Sequence, residues 1–319
     1  MSTIPVKVLS AATVAENIRL LHLARVDGLP LPPFEPGAHI DLRLGPALVR
    51  QYSLCGSATD GSSYAVAVKR EPESRGGSKA VHEQLQAGSL LEISQPRNNF
   101  PIAADALHSV LIAGGIGITP LIAMARALLA ADKSFELHYF SRSPDHAAFL
   151  DELRSGPLAM HTRLHFGLER EAVQQALSDI LSHRPDGGHL YMCGPRPFMD
   201  AVQATARLDW PDSDVHLEYF VAEPARASDG DVSFQVALAR HGITVTVEPG
   251  VTIIDAVRAA GVDLETSCEQ GVCGTCITPV IEGTPDHRDC FLTAKEHARG
   301  DCIAVCVSRS RTPMLVLDL

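Results

Sequence analysis

The sequence predicts a multidomain chain: a small antiparallel β-barrel, an α/β domain with a doubly wound parallel sheet, and a small domain built around cysteines. Three observations predict it. Residues 1–102 read as short strands broken by Pro- and Gly-containing turns, and from about residue 107 strand and helix patterns alternate. Near the C-terminus four cysteines follow the spacing C-x4-C-x2-C-x29-C. With 319 residues, the chain can build two or three separate cores.

In the first segment the strands are Ile18–Val26, Ala38–Leu44, Leu48–Leu54, Tyr64–Arg70 and Leu90–Ser94, with one short helix, Lys79–Gln86. Several strands at this spacing, separated by turns such as Leu31-Pro-Pro-Phe-Glu-Pro-Gly37, suit a small barrel. Arg50-Gln-Tyr52-Ser53 ends one of them. Arginine offers a bidentate fork to a phosphate, Tyr52 a flat face to a flavin ring, and Ser53 a hydroxyl or N–H to a ring heteroatom. Taken alone, the tetrapeptide is equally an ordinary exposed strand end. Arg75-Gly76-Gly77-Ser78 then enters the short helix. Its successive N–H groups form an anion nest, with Ser78 as the expected N-cap.

The second segment reads Val110–Ala113 (strand), Thr119–Ala131 (helix), Glu136–Phe140 (strand), Ala147–Arg154 (helix) and Thr162–Phe166 (strand). Arg170–Leu181 (helix), His189–Cys193 (strand), Pro197–Leu208 (helix) and Val215–Phe220 (strand) complete it. Strands joined by crossover helices make a doubly wound parallel sheet. Gly114-Gly115-Ile-Gly117-Ile-Thr119-Pro120 leaves the first strand. Its glycines let the backbone approach a pyrophosphate, Thr119 is the expected cap, and Pro120 suits the first helical turn. Proline stands where the usual dinucleotide fingerprint has a third small residue. Cys193-Gly194-Pro195 ends the fourth strand at the carboxyl edge, where such sheets bind ligands; a buried packing cysteine is the plainer alternative. Glu136 comes early for a ribose-binding acid, while Ser141-Arg142 could accept a 2′-phosphate.

Residues 221–231 read as a linker, so the expected domains are 1–102, 103–225 and 232–319. In the third, Ser233–Leu238 and Ile243–Val247 form a hairpin around Arg240-His-Gly242, and Thr252–Ala260 is a helix capped by Gly261. Cys268, Cys273 and Cys276 share a loop with Gly271 and Gly274, Cys306 lies in a β-branched run expected to be a strand, and Met314–Leu317 closes the domain. The spacing is that of a plant-type [2Fe–2S] cluster. Four thiolates also suit zinc, but zinc sites more often come as two C-x2-C knuckles. Glu269 beside the first ligand would lower the cluster's potential, and backbone N–H groups of the loop would raise it.

The net charge of −11 argues against a nucleic-acid partner. It is distributed as +1 over residues 1–102, −8 over 103–231 and −4 over 232–319. The basic share is greatest where a phosphate is placed. The acidic third domain suits a basic docking partner, and equally an ordinary solvated surface. The longest apolar segment, Ser109–Ala131, is broken by Gly114, Gly115, Gly117, Pro120 and Arg126 and is no membrane span. The N-terminus has no signal-peptide pattern, so a cytoplasmic protein is expected, with Cys55, Cys193, Cys290 and Cys302 as free thiols.

Taken in order, R-x-Y-S, G-G-S, G-G-x-G-x-T-P, C-G-P and C-x4-C-G-x-C resemble the phthalate dioxygenase reductase family along essentially the whole chain, including His287-Arg288-Asp289 and Cys306-Val-Ser-Arg309. The resemblance implies an antiparallel β-barrel flavin domain, an α/β nucleotide domain and a C-terminal β-grasp plant-type ferredoxin domain. It implies an FMN cofactor, NADH as donor, and a separate Rieske-type oxygenase as electron acceptor. Carried over by residue, it puts Arg50, Tyr52 and Ser53 on the flavin and Gly76, Gly77 and Ser78 near its phosphate. Gly115, Gly117 and Thr119 would hold the dinucleotide, with Cys193 and Gly194 near nicotinamide. Phe220 is either a core aromatic or a ring stacked where nicotinamide enters. Cys268, Cys273, Cys276 and Cys306 would hold the cluster.

A flavin is what such a chain needs, since NADH gives two electrons together and the cluster takes one at a time. No acid/base pair is required, so His39, His82 and the other histidines are assigned to surface or core. The oxygenase's substrate is not written in this chain, and a monomer suits a shuttle that docks and leaves. Two other classes are a self-contained flavin oxidoreductase acting on a small molecule and a non-catalytic metal-binding module. The first predicts substrate-dependent NADH oxidation without a second protein; the second predicts no flavin at all.

Overall fold

The computed structural model describes residues 3–45, 48–72, 76–220 and 231–319. Arg75 and all of the expected linker except Asp231 lie outside them. The chain forms two compact units, 1–218 and 219–319.

The first unit begins with six antiparallel strands: β1 (Thr3–Ala15), β2 (Ile18–Arg25), β3 (His39–Gly45), β4 (Leu48–Ser53), β5 (Tyr64–Lys69) and, after helix α1 (Gly77–Gln84), β6 (Leu90–Ser94). Their order is β4-β3-β6-β1-β2-β5. The outer strands close on each other through a Leu54–Val66 bridge and Cys55 N–H donating to Ala65 O at 2.9 Å, which makes the sheet a barrel. Strand β1 was not expected. Its apolar period-2 face, Ile4, Val6 and Val8, gives way to an alanine- and threonine-containing stretch that carries little strand signal. The barrel core takes alternate residues from each strand, such as Leu21 and Leu23, Ile40 and Leu42, and Val66 and Val68. Each such side chain contributes roughly 1.5–3 kcal/mol by burial.

Then come β7 (His108–Gly114), α2 (Ile118–Ala130), β8 (Ser134–Ser141), α3 (Leu150–Ser155), β9 (Thr162–Phe166), α4 (Arg170–Leu181), β10 (Gly188–Cys193), α5 (Arg196–Ala206) and β11 (Val215–Glu218). All pairings in this sheet are parallel, in the order β11-β10-β7-β8-β9. Strand β10 is buried along its whole length, as a strand covered on both faces must be. The order reverses between β7 and β10, so the Gly114–Gly117 turn and the Cys193–Pro195 turn emerge side by side at the carboxyl edge. Arg126 of α2 ties this sheet to the barrel. Its guanidinium donates to Cys55 O of the barrel and forks onto both Glu152 oxygens of α3.

The second unit contains β12 (Phe234–Leu238), β13 (Ile243–Val247), α6 (Ile253–Ala259), β14 (Ile277–Glu282), β15 (Pro285–Asp286), α7 (Ala294–Arg299), β16 (Cys302–Ala304), β17 (Arg309–Ser310) and β18 (Met314–Leu317). Five of these strands form a mixed sheet, β13-β12-β18-β14-β16, packed on α6 through Ile253, Ile254 and Val257. Thr252 caps α6 by accepting from Asp255 N–H, and Thr293 with Glu296 forms a capping box on α7. Asp231 is held twice. Arg288 forks onto it at 2.6 and 3.1 Å, and the Arg309 guanidinium lies 3.7 Å away. Among the described residues no helix is long and apolar enough to cross a membrane.

Candidate functional site: two cofactor cradles and a cysteine loop

In the barrel, the two flavin motifs meet. Arg50 and Tyr52 project from the same face of β4, and Ser53 from the other. The Arg50 stem lies so close across the start of α1 that a Cβ on Gly77 would fall 2.4 Å from it. Arg50, Gly76 and Gly77 therefore share one corner of the barrel, as a phosphate cradle requires. Gly76, with φ +93°, is the residue from which α1 starts, and no side chain caps it. The expected cap at Ser78 is corrected: Ser78 lies inside the helix, and its hydroxyl accepts from Glu71 N–H at 3.1 Å. The uncapped helix start leaves its first N–H groups available to an anion. Tyr52 is half-buried against the barrel core, and burial pushes its phenol up, so it stays neutral.

At the edge of the parallel sheet, the glycines divide their work. A Cβ on Gly117 would lie 2.2 Å from Cys193 O, and one on Gly114 would lie 2.7 Å from the Phe198 ring. Those two glycines let protein approach protein. Gly115, with φ +53°, is the one that faces open space, and it fits the close passage of a pyrophosphate. Thr119 does not cap α2, contrary to expectation. A 3-10 turn over Gly115–Gly117 carries the helix back by a turn, and the buried Thr119 hydroxyl donates to Ile116 O at 3.0 Å. Glu136, early in the sequence for a ribose-binding acid, lies within β8 beside His138 rather than at the edge, whereas Arg142 is exposed just beyond the strand.

The motifs converge at a residue the sequence did not single out. Glu218 ends β11 next to Cys193, and the Ser53 hydroxyl of the flavin motif donates to it at 3.3 Å. Burial raises the Glu218 carboxyl to about 8, the Ser53 hydrogen bond offsetting part of the rise. Its signal was available only as an acid at the carboxyl end of the last parallel strand. The Cys193 thiol is held well above its ordinary value, first by burial and then by Glu218. It is therefore a neutral packing group and not a nucleophile. Phe220, two residues beyond β11, is half-buried. His39 is wholly buried in the barrel, and His82 Nε2 lies 2.8 Å from Val68 O.

In the second unit, Cys268, Cys273, Cys276 and Cys306 are each 4–7% exposed. Interaction within each pair holds the Cys273 thiol down and Cys268 up, and Cys276 down and Cys306 up, so the four cysteines fall into two neighbouring pairs. Cys306 is not in a strand as expected. Strand β16 ends at Ala304, and Val307 and Ser308 N–H both donate to Ala304 O, turning the chain so that Cys306 faces the loop. Gly271 and Gly274 have φ of +70° and +74°, and a Cβ on either would strike Val307 or the Phe291 ring. No other residue type satisfies both conditions. Gln270 N–H donates to Cys268 Sγ at 3.3 Å, the type of contact a cluster sulfur also accepts. Glu269 is paired with Arg258 at 2.9 Å, which tempers the negative charge placed beside the first ligand. Four buried thiols gathered by a glycine-bent loop fit a [2Fe–2S] cluster.

The 2Fe-2S iron-sulfur cluster binding domain family matches residues 236–311, and the oxidoreductase NAD-binding domain family matches residues 111–204. The chain is 46% identical to a vanillate O-demethylase oxidoreductase of Pseudomonas sp. (strain HR199), over 96% of each chain. It is 42% identical to phenoxybenzoate dioxygenase subunit beta of Ectopseudomonas oleovorans, over 100% of this chain and 98% of the other. Among solved structures it is similar to phthalate dioxygenase reductase, described as a modular structure for electron transfer from pyridine nucleotides to [2Fe-2S], with TM-score 0.80 and 36% identity over 100% of this chain and 98% of that one. It is also similar to an intact type IV self-sufficient cytochrome P450 monooxygenase, with TM-score 0.84 and 39% identity over 99% of this chain but 41% of that one. With both cradles and the cysteine loop in the same order along nearly its whole length, the chain belongs to the phthalate dioxygenase reductase family.

Proposed function

We propose that the protein takes a hydride from NADH onto bound FMN and passes single electrons through a [2Fe–2S] cluster to a separate Rieske-type oxygenase. The observation that carries this reading is the meeting of Ser53, Cys193 and Glu218, which brings the flavin strand and the dinucleotide edge to one point. A bound flavin supplies the exchange between paired and single electrons. The residues do positional work. Arg50 with the Gly76–Gly77 corner holds the phosphate, Tyr52 lines the ring, and Ser53 orients its edge. Gly115 admits the pyrophosphate, and Gly194 keeps the nicotinamide side narrow beside the neutral Cys193. Phe220 is assigned to the face where nicotinamide enters. Cys268, Cys273, Cys276 and Cys306 hold the cluster. We assign the barrel to 1–102, the nucleotide domain to 103–225 and the cluster domain to 232–319, in a cytoplasmic monomer. We assign an aromatic acid or ether as the oxygenase's substrate class, supported by the names of two relatives, whereas two others are named for carnitine and tert-butanol.

The test is an absorption spectrum of the purified protein before and after anaerobic NADH, with the flavin released by acid and identified. Flavin and red-brown cluster bands, both bleached by NADH and yielding FMN, are expected. Protein without flavin, or with zinc on the cysteines, would overturn the reading. NADH oxidation that needs a small molecule and no second protein would favour a self-contained enzyme.

A further inference from the structure

The four cysteines come from two segments, the loop 268–276 and the turn holding Cys306, and something must hold those segments in register. One tie is visible in the sheet: Ile277 pairs with Ala304, and Val305 N–H donates to Cys276 O. It secures the Cys276 end of the loop and leaves the Cys268–Cys273 end to be fastened otherwise. That end meets the His287-Arg288-Asp289 tripeptide, whose Arg288 side chain holds Asp231 and whose Asp289 has so far been given no task. Cys290 N–H donates to Gly271 O at 3.0 Å, and a Cβ on Gly271 would sit 3.1 Å from the Asp289 Cα. The same tripeptide grips the fourth ligand's turn, since Arg288 N–H donates to the Ser308 hydroxyl at 3.1 Å and that hydroxyl lies 3.4 Å from Asp289 Oδ1.

The Asp289 side chain is 0% exposed, and its acceptor sites are filled from three directions. Phe291 and Leu292 N–H donate to Oδ2 at 3.2 and 2.8 Å, the Ser308 hydroxyl reaches Oδ1, and His297 Nε2 lies 3.3 Å from Oδ1. The turn it closes carries Phe291, whose ring covers Gly274 between the second and third ligands. His287 stacks on His297 at 4.3 Å with 16° between the rings. Nearly parallel imidazoles aim their lone pairs side by side rather than at one point, which disfavours a mononuclear metal on this His-Asp-His group.

We infer that Asp289 is a positioning residue for the cluster. It joins the three-cysteine loop to the turn of Cys306 on the side opposite the β14–β16 pairing, and so sets the spacing of the four sulfurs. A buried carboxylate suits the task because it accepts several hydrogen bonds at once, and partners behind metal ligands commonly govern how tightly a metal group is held. The inference rests on the cluster assignment made above.

The experiment compares wild type, Asp289→Ala, Asp289→Asn and Ser308→Ala as anaerobically purified full-length holoprotein. It reads the electron paramagnetic resonance spectrum of the reduced cluster and the half-time of iron loss to a chelator. Thermal unfolding and flavin content are followed in the same samples. Asp289→Ala is expected to lose iron about tenfold faster, and Asp289→Asn and Ser308→Ala about threefold faster. Shifted g-values or broadened lines should appear in all three, a change that lower overall stability alone does not produce. Should Asp289→Ala not retain a cluster at all, the two milder variants decide. Wild-type spectra and half-times in both would overturn the inference while leaving the functional reading intact. A wild-type protein without a [2Fe–2S] signal would overturn the reading and the inference together.

Discussion

Glu218 makes a prediction that can be worked through from the structure. Burial holds its carboxyl protonated to about 8, against 4.5 for a free side chain. The folded state therefore keeps a proton that the unfolded state releases over that interval, and stability must fall as pH rises from about 5 to 8. At one pKa unit per 1.36 kcal/mol, the limit is about 5 kcal/mol. Part of the Glu218 side chain still meets solvent, so about 2 kcal/mol is the expected loss. Glu218→Gln removes the titration and keeps an oxygen for the Ser53 hydroxyl. The single tryptophan, Trp210, is buried in the same unit and donates its indole N–H to Leu181 O, so its fluorescence follows unfolding there in urea. The two proteins should be equally stable near pH 4, below the unfolded carboxyl's 4.5, and the variant about 2 kcal/mol more stable at pH 8.5. Because other titrating groups are common to both, the difference isolates this carboxyl. Stability curves that run parallel across that range would refute the burial argument.

Three further outcomes are expected. Gly117→Ala should destabilise the first unit by about 1–3 kcal/mol in the same assay, since the new Cβ would lie 2.2 Å from the Cys193 carbonyl and only backbone movement relieves it. Arg258→Gln should lower the cluster's midpoint potential in a redox titration, because Glu269 beside the first ligand loses its countercharge. Arg142→Ala should cut kcat/KM for NADPH by about tenfold or more while changing that for NADH less than about twofold, the signature of a side chain that touches only a 2′-phosphate.

Much of this was legible because the signals are local. The cysteine spacing, the alternation of β7 through β11 and the hairpin of β12 and β13 are written within short windows, and they appear where expected. What escaped depends on contacts between distant positions. Ser78 and Thr119 look like caps in isolation, but each helix begins earlier, on glycines, and each hydroxyl goes instead to the backbone of a preceding residue. Cys306 sits among β-branched residues, yet ligand geometry needs a turn, and Ala304 O supplies it. Glu218 is one acid among many until the sheet closes beside Ser53, 165 positions earlier in the chain.

The grip of Arg288 and Arg309 on Asp231 bears on how this cluster unit could be cut free or transplanted. Residues 219–319 form a compact unit of their own, which invites use as a separate domain. The natural scissors mark would fall at the first strand, β12. Starting there would discard Asp231, leaving Arg288 with Asp286 alone and Arg309 with the carbonyls of Val251 and Glu248. Losing charge-assisted hydrogen bonds of this kind costs about 1.5–3 kcal/mol, a large share of the stability of a domain of this size. A fragment beginning upstream of Asp231 carries its own counterion and should travel intact.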